Sequence, residues 1–311
     1  MRYDIRLRIG YDYALAVRSA HHLLRVSPRI DRGQTLHALS LDVAPDTDET
    51  LQESCFFGNR THHLLLNRPH TALSVEMRAR VEVRRAEPDL SNAPDIATLS
   101  DMARHSRAES GQSPIYQLAA SRMVAPLPEA GIFVAESLSG LSPGLGVLAV
   151  AQRISGEFAY EPGFSSLATT PAQTLSSRRG VCQDFAHLMI AGLRQTGIPA
   201  AYVSGFLRTD PPPGQPRIEG ADEMHAWIEA WLGPDLGWVG FDPTNGCLAG
   251  DGHVAVAFGR DYADVPPLRG IITDAVTLTD RDSGKVTQQL TQYYSLNAAL
   301  RAAGGARLAT N

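Results

Sequence analysis

The sequence predicts an α+β protein in which a helix that begins at a cysteine packs on an antiparallel sheet, with a small strand-rich unit ahead of it. Two patterns carry that expectation. Near the N-terminus and again at residues 73–83, apolar and polar residues alternate with the period of two of a half-buried strand, whereas residues 182–193 place apolar side chains at three- and four-residue steps. From residue 182 the order reads helix, strand (200–207), Pro-rich loop (211–216), strand (224–232) and strand (237–241).

The elements follow in order. Tyr3, Ile5, Leu7 and Ile9 alternate with Asp4, Arg6 and Arg8, and the same alternation runs through Leu73, Val75, Met77, Ala79, Val81 and Val83. Turn residues in SPRID, APDTDET and NRPH separate these runs at short intervals, so residues 1–88 are expected to form a small β-sandwich-like domain. The stretch EPDLSNAPDIATLSD breaks the alternation and reads as a linker, SPIYQLAASRM and LGVLAVAQRISGEFAY read as helices, and residues 89–130 are taken as linker and connecting helix. Residues 131–311 then form the second domain.

Composition narrows the function. The 311-residue chain is 43% hydrophobic and 20% charged, enough apolar content for a substantial core, and its formal net charge of −5 supplies no basic footprint for a phosphate backbone or an anionic membrane surface. Nucleic acid and membrane are therefore not expected as partners. The N-terminus has no apolar run of the signal-peptide kind, which sets a cytoplasmic location as the expectation. Cys55, Cys182 and Cys247 are odd in number and widely spaced, which argues against a disulfide framework or a structural zinc site. Reduced thiols are expected.

Cys182 carries the functional question. Cys182, Phe185, Met189 and Leu193 share one helix face, and Gly197 and Pro199 mark the helix end, so Cys182 falls in the first turn. Unpaired amides and the positive end of the helix dipole favour a thiolate at such a position, although a buried cysteine is also an ordinary inert core residue. His225 opens a strand and Asp242 closes the next one before Pro243. A hairpin turning near residues 234–236 sets His225 opposite a position near 244, within about two residues of Asp242, an offset that a bulge would absorb. A helix-capping thiol, a strand histidine and a neighbouring carboxylate form a nucleophile, its base and a group that orients the base.

The run GVCQDFAHLMIAGLRQTGIPAAYVSGFL, then HAWIEAW, then GWVGFDPTNG, resembles the three core motifs of the bacterial transglutaminase-like superfamily, in the family's order. YDYALAVRSAHHLLRVSPR and CFFGNRTHHLLLNRPHTALSVEM are similar to the β-rich domain that often precedes that core, and GRDYADVPPLRG to its continuation. The resemblance implies a papain-like core, with Cys182 as nucleophile, His225 as general base and acid, and Asp242 as orienting carboxylate. It further implies thiol-dependent acyl transfer on an amide or peptide carbonyl of a peptide or protein substrate, with hydrolysis expected and neither metal nor organic cofactor called for. Amine transfer to protein glutamine, and a peptide-binding module without chemistry, are the alternatives. Met224, preceded by Asp222 and Glu223, departs from the small residue usual before the family's histidine and bears on the shape of the cleft.

Other residues are assigned quieter roles. His187, about 140° around the helix from Cys182, is expected to be a hydrogen-bonded interior side chain rather than a second base. Gln183 and Asp184 are expected to hold the helix start, Trp227 and Trp231 to be core or cleft wall, and Cys247 to be structural. His21, His22, His62 and His63 show no metal-ligand spacing, and Asp251 and His253 read as loop residues.

Overall fold

The computed structural model describes residues 1–208, 224–280, 284–295 and 307–309; the Pro-rich loop at 211–216, together with Asp222 and Glu223, lies outside the described residues. Five strands open the chain: β1 (Arg2–Leu24), β2 (Gln34–Ala44), β3 (Glu49–Ser54), β4 (Arg60–Leu66) and β5 (His70–Val83). The alternation seen in the sequence is realised, because Tyr3, Ile5, Leu7 and Ile9 on β1 and Leu73 to Val83 on β5 are buried on one face. β1 serves two neighbours in turn. Its residues 2–12 pair with β5, which carries β2 on its other side, and its residues 20–24 pair with β4, which carries β3.

The segment expected to be a linker contains a helix, α1 (Ile96–Arg104), started by Asp95, whose side chain accepts the amide of Thr98 at 3.0 Å. Residues 113–123, expected to be helical, form only a short 3-10 turn at Pro114–Gln117. Their backbone is committed elsewhere: the carbonyl of Ala119 accepts from Arg194 at 3.1 Å and the amide of Met123 donates to Asp261 at 2.7 Å. Two further helices, α2 (Pro128–Leu138) and α3 (Pro143–Glu157), both begin on proline.

The approach to Cys182 is built with local devices. After β6 (Ala159–Tyr160), helix α4 (Pro171–Ser177) starts with a capping box in which Thr170 and Gln173 exchange side-chain bonds with each other's amides, and it ends at Arg178 with φ 55°. The chain then forms β7 (Arg179–Gly180), parallel to β6, and enters α5 (Cys182–Thr196). Gly197 closes α5 with φ 90°, a left-handed value that other residues rarely take. Strands β8 (Ala200–Leu207), β9 (Met224–Trp231), β10 (Trp238–Asp242), β11 (Cys247–Leu248) and β12 (His253–Gly259) make an antiparallel sheet in the order β11-β10-β9-β8-β12.

Both faces of this sheet are covered. Phe185, Met189 and Leu193 of α5 pack with Ala226, Ile228 and Ala230 on one face, while Trp227, Val203, Ala255 and Phe258 pack with Phe57 of the N-terminal sheet on the other. Gly205 makes room for that second layer, since a Cβ there would stand 2.1 Å from the Val254 carbonyl oxygen and 2.5 Å from the Trp227 ring. Past residue 268 the chain returns to the N-terminal sheet: β13 (Leu268–Asp280) pairs with β1 from Leu24↔Leu268, β14 (Gly284–Ser295) pairs with β13, and β15 (Arg307–Ala309) pairs with β1. The span 131–311 is thus divided between the two units, because the free edge of β1 is satisfied by the strands that follow the core.

The outer edge of β12 meets side chains in place of a strand. Gln34 donates to the carbonyl of Ala255 at 2.9 Å and accepts its amide at 2.5 Å, and Asn59 does the same for Phe258 at 2.8 Å in both directions. A primary amide carries one donor and one acceptor side by side, so it can stand in for a facing peptide group. Asn59→Leu should leave both Phe258 backbone groups buried and unpaired, lowering unfolding free energy by on the order of 2–4 kcal/mol in urea titrations. An unchanged midpoint would show that the β12 edge does not need Asn59.

Candidate active site

Cys182 is the first helical residue of α5 and is half-buried. Asp184, two residues on, folds back so that its Oδ2 accepts the Val181 amide at 2.8 Å, which fixes the strand-to-helix corner. Gly180 fits beneath it, and burial pushes the Asp184 carboxyl up. The Cys182 amide lies at N1, where the helix supplies no acceptor of its own, so its N–H is available to a group outside the helix.

Asp242 is completely buried at the end of β10. The hairpin ladder pairs Trp238↔Trp231 through Phe241↔Ile228 and stops there without a bulge, and Asp242 pairs instead with Cys247 of β11. Side-chain length closes the remaining gap: His225 Nε2 donates to Asp242 Oδ2 at 2.8 Å. The turn after β10 supplies the other donors. Oδ1 accepts the amides of Thr244 at 2.9 Å and Asn245 at 3.2 Å, and Oδ2 accepts the Asn245 side-chain amide at 2.7 Å. Although burial alone would raise it, the Asp242 carboxyl is held far below the ordinary carboxylate range by His225, His253 and Asn245.

His225 uses Nε2 on Asp242, and Cys182 is the other group whose proximity bears on its protonation. Burial would lower its pKa, but the bonds to Asp242 and Cys182 outweigh burial and raise it to about 10. These neighbours favour the charged ring. Trp227 lies against it, ring centroids 6.2 Å apart and planes 28° from parallel, which limits the ring's freedom to tilt.

His253, expected to be a loop residue, opens β12 and is buried. Its Nε2 lies 3.1 Å from the same Asp242 Oδ2. In a flat sheet three strand spacings of about 4.8 Å would hold β10 and β12 roughly 14 Å apart, farther than an aspartate and a histidine together reach. The sheet therefore curls at this end, aided by a register shift between Ala255 and Ala257 on β12. Ligand-type atoms of His225, Asp242 and His253 all lie within 4.8 Å of one another, a spacing that the two imidazole bonds to Asp242 account for. A recognisable signal for His253 was present in the sequence, since HVAVAFG after a Gly-Asp-Gly turn is a β-rich apolar run.

The remaining candidates separate cleanly. His187 is buried on α5, accepts the Tyr262 amide on Nε2 at 3.1 Å, and is lowered to about 4 by burial. Cys247 is pushed up by burial and by Asp242, which keeps it a thiol. Cys55 sits at the turn after β3 in the N-terminal sheet. Trp231 is half-buried, while Trp227 is a buried wall behind His225 that also borders a cavity of about 470 Å³ on the side of Arg85 and Trp238.

A profile of the bacterial transglutaminase-like N-terminal region matches residues 3–82, and one of the transglutaminase-like superfamily matches residues 134–243. An uncharacterized protein of Mycobacterium tuberculosis (strain ATCC 25618 / H37Rv) is 35% identical over 279 residues, 87% of either chain. A crystal structure of a candidate cysteine protease from Cytophaga hutchinsonii superposes with TM-score 0.67 at 23% identity, covering 99% of this chain and 97% of the other. A protein-glutamine gamma-glutamyltransferase of Pseudomonas aeruginosa is 34% identical over 102 residues, 32% of this chain and 15% of its own. The fold is that of enzymes that transfer acyl groups through a thiol. The chain belongs to the transglutaminase-like superfamily and carries its bacterial N-terminal region.

The charge on Asp242 sets the protonation of His225. Asp242→Asn keeps the shape but removes the charge, so burial should win and the His225 midpoint in a histidine-ring NMR titration should fall from about 10 to below 7. The sign for stability follows: a raised imidazole pKa stabilises the fold fully below about 6.5 and loses that contribution as pH rises through about 10. A midpoint unmoved by the substitution would show that Asp242 does not hold the proton.

Proposed function

We propose that the protein is a cysteine hydrolase of peptide or carboxamide bonds, with Cys182, His225 and Asp242 as nucleophile, base and orienting group. The observation that supports this reading is the His225 ring, bonded through Nε2 to a buried carboxylate and influenced by the helix-start thiol of Cys182. The Cys182 sulfur, paired with imidazolium, attacks the carbonyl carbon, and the carbonyl electron pair moves onto oxygen beside the Cys182 amide. His225 then gives its proton to the departing nitrogen as the carbon–nitrogen bond breaks, leaving a thioester and a neutral imidazole. Water loses a proton to that imidazole and adds to the thioester, and the carbon–sulfur bond breaks to release a carboxylic acid and restore the ion pair.

Throughout, Asp242 stabilises the imidazolium and keeps the ring turned toward sulfur. Water is favoured as the acceptor because it is the more concentrated nucleophile, and Cys182 is only half-buried. The similarity to a protein-glutamine gamma-glutamyltransferase supports a second reading, in which a primary amine attacks the same thioester.

Cys182→Ala should abolish turnover with the fold intact, since alanine favours a helix start no less than cysteine does. Cys55→Ala and Cys247→Ala should each keep most activity. Residual activity of Cys182→Ala within tenfold of the parent would remove Cys182 from the reaction. A thiol probe at pH 6 separates the enzyme from a peptide-binding module: selective labelling of Cys182 fits the enzyme, and labelling no faster than at Cys55 fits the module. Mass spectrometry of a peptide library, incubated with and without a primary amine, decides the acceptor. Shortened or deamidated peptides in both samples are expected, and amine adducts in place of acids would establish amine transfer.

A further inference from the structure

We propose that His253 is a positioning residue that acts on the reaction through Asp242: as a neutral imidazole it donates its Nε2–H to the oxygen that also receives His225, and so limits how strongly that oxygen holds the His225 proton. The inference rests on the reading of His225 as base and acid. Its geometry is independent of the acyl acceptor.

The protonation state of His253 follows from its surroundings. The ring is buried, and Nδ1 has no hydrogen-bond partner among the described residues. A second proton would sit on that nitrogen with nothing to receive it, at the cost of an unpaired buried donor. The charged groups around the ring are Asp242 from β10, His225 from β9, and Arg85 from the segment after β5, whose Nη1 donates to the His253 carbonyl at 2.5 Å. Burial, His225 and Arg85 oppose a cation here, and Asp242 favours one; the balance lowers the His253 pKa below the ordinary value. The edge of Trp227, 5.2 Å between centroids at 76°, holds the ring in place.

What His253 adds to Asp242 is not needed to keep the carboxylate where it is. The Thr244 and Asn245 amides fix Oδ1, and the Asn245 side chain fixes Oδ2, all within the turn that follows β10. His253 instead shares Oδ2 with His225 at 3.1 and 2.8 Å. Each donor to a carboxylate oxygen draws off charge and leaves it a weaker acceptor for the next. A base that must first accept a proton and then return it to a leaving group works best when neither form is overstabilised. His253 supplies that restraint on a carboxylate that is otherwise buried and fully ionised.

Histidine-ring NMR without substrate tests this directly, so the result stands whether or not hydrolysis is the reaction. In the parent, His253 should be neutral and protonated on Nε2 at pH 7 and above, since its burial lowers its pKa below the ordinary value. His253→Leu should raise the His225 midpoint by about half to one pH unit, whereas His253→Gln, which keeps a donor, should leave it within about 0.3. With a peptide substrate, His253→Leu should lower kcat about three- to tenfold with KM within about twofold, and His253→Gln should restore it. A His225 midpoint that stays or falls in His253→Leu overturns the proposal, as does equal loss of kcat in the leucine and glutamine variants. Should the leucine variant not fold, the parent decides alone: a His253 proton resting on Nδ1, or a cationic His253 at pH 7, overturns it.

Discussion

A carboxylate with no exposure to solvent is the constraint around which the rest of the core is arranged. Burying a charge is costly unless donors replace the water it loses, and Asp242 finds them on three sides: its own turn, β9 and β12. Its own turn fixes both oxygens, and the histidines of β9 and β12 converge on one of them. β10 and β12, at opposite ends of the spatial order β10-β9-β8-β12, meet through Asp242 and His253, and Trp227 packs closely against Gly205 in the same sheet. The orientation of the His225 ring and the convergence of the strands beside it thus share one buried charge.

The arrangement divides labour between the two sides of the sheet. On the helix side, α5 delivers a thiol at a fixed corner, locked by Asp184 and by the β6–β7 ladder just before it. On the other side, the N-terminal unit presses Phe57 and a buried Arg32–Glu229 ion pair against the sheet. Arg85 reaches from the end of β5 to the carbonyls of Gly250 and His253, at 2.6 and 2.5 Å, so the segment leading into β12 is anchored from the N-terminal unit. The position of one histidine ring is in this way set by residues from both halves of the chain.

Much of this was legible in the sequence, for identifiable reasons. The strands at Tyr3–Ile9 and Leu73–Val83 were visible because one face is buried and the other wet, and α5 because Gly197 and its apolar face mark it at both ends. The approach of His225 to Asp242 was recoverable from hairpin arithmetic, although a bulge was expected where the ladder simply ends. Two helices outside the sequence expectation start on local caps: Asp95 before α1, and Thr170-Pro171 with Gln173 before α4. Residues 113–123 look helical and are not, because Arg194 and Asp261, distant in sequence, claim their backbone groups. His253 reads as a loop residue for a similar reason. Its partner lies three strands away, and nothing local announces that the sheet curls enough to bring them together.

The long first strand has a consequence for how the chain comes into being. β1 is flanked by β4 and β5 from the first third of the sequence, yet its other edge is covered only by strands that follow residue 268. The core is in effect inserted between two parts of a single sheet. During synthesis the N-terminal unit emerges with one edge of its central strand open, and that edge stays open until the entire core has left the ribosome. Pairings over so long a separation are slow to form, so the open edge of β1 can be closed only after the whole intervening core has been made.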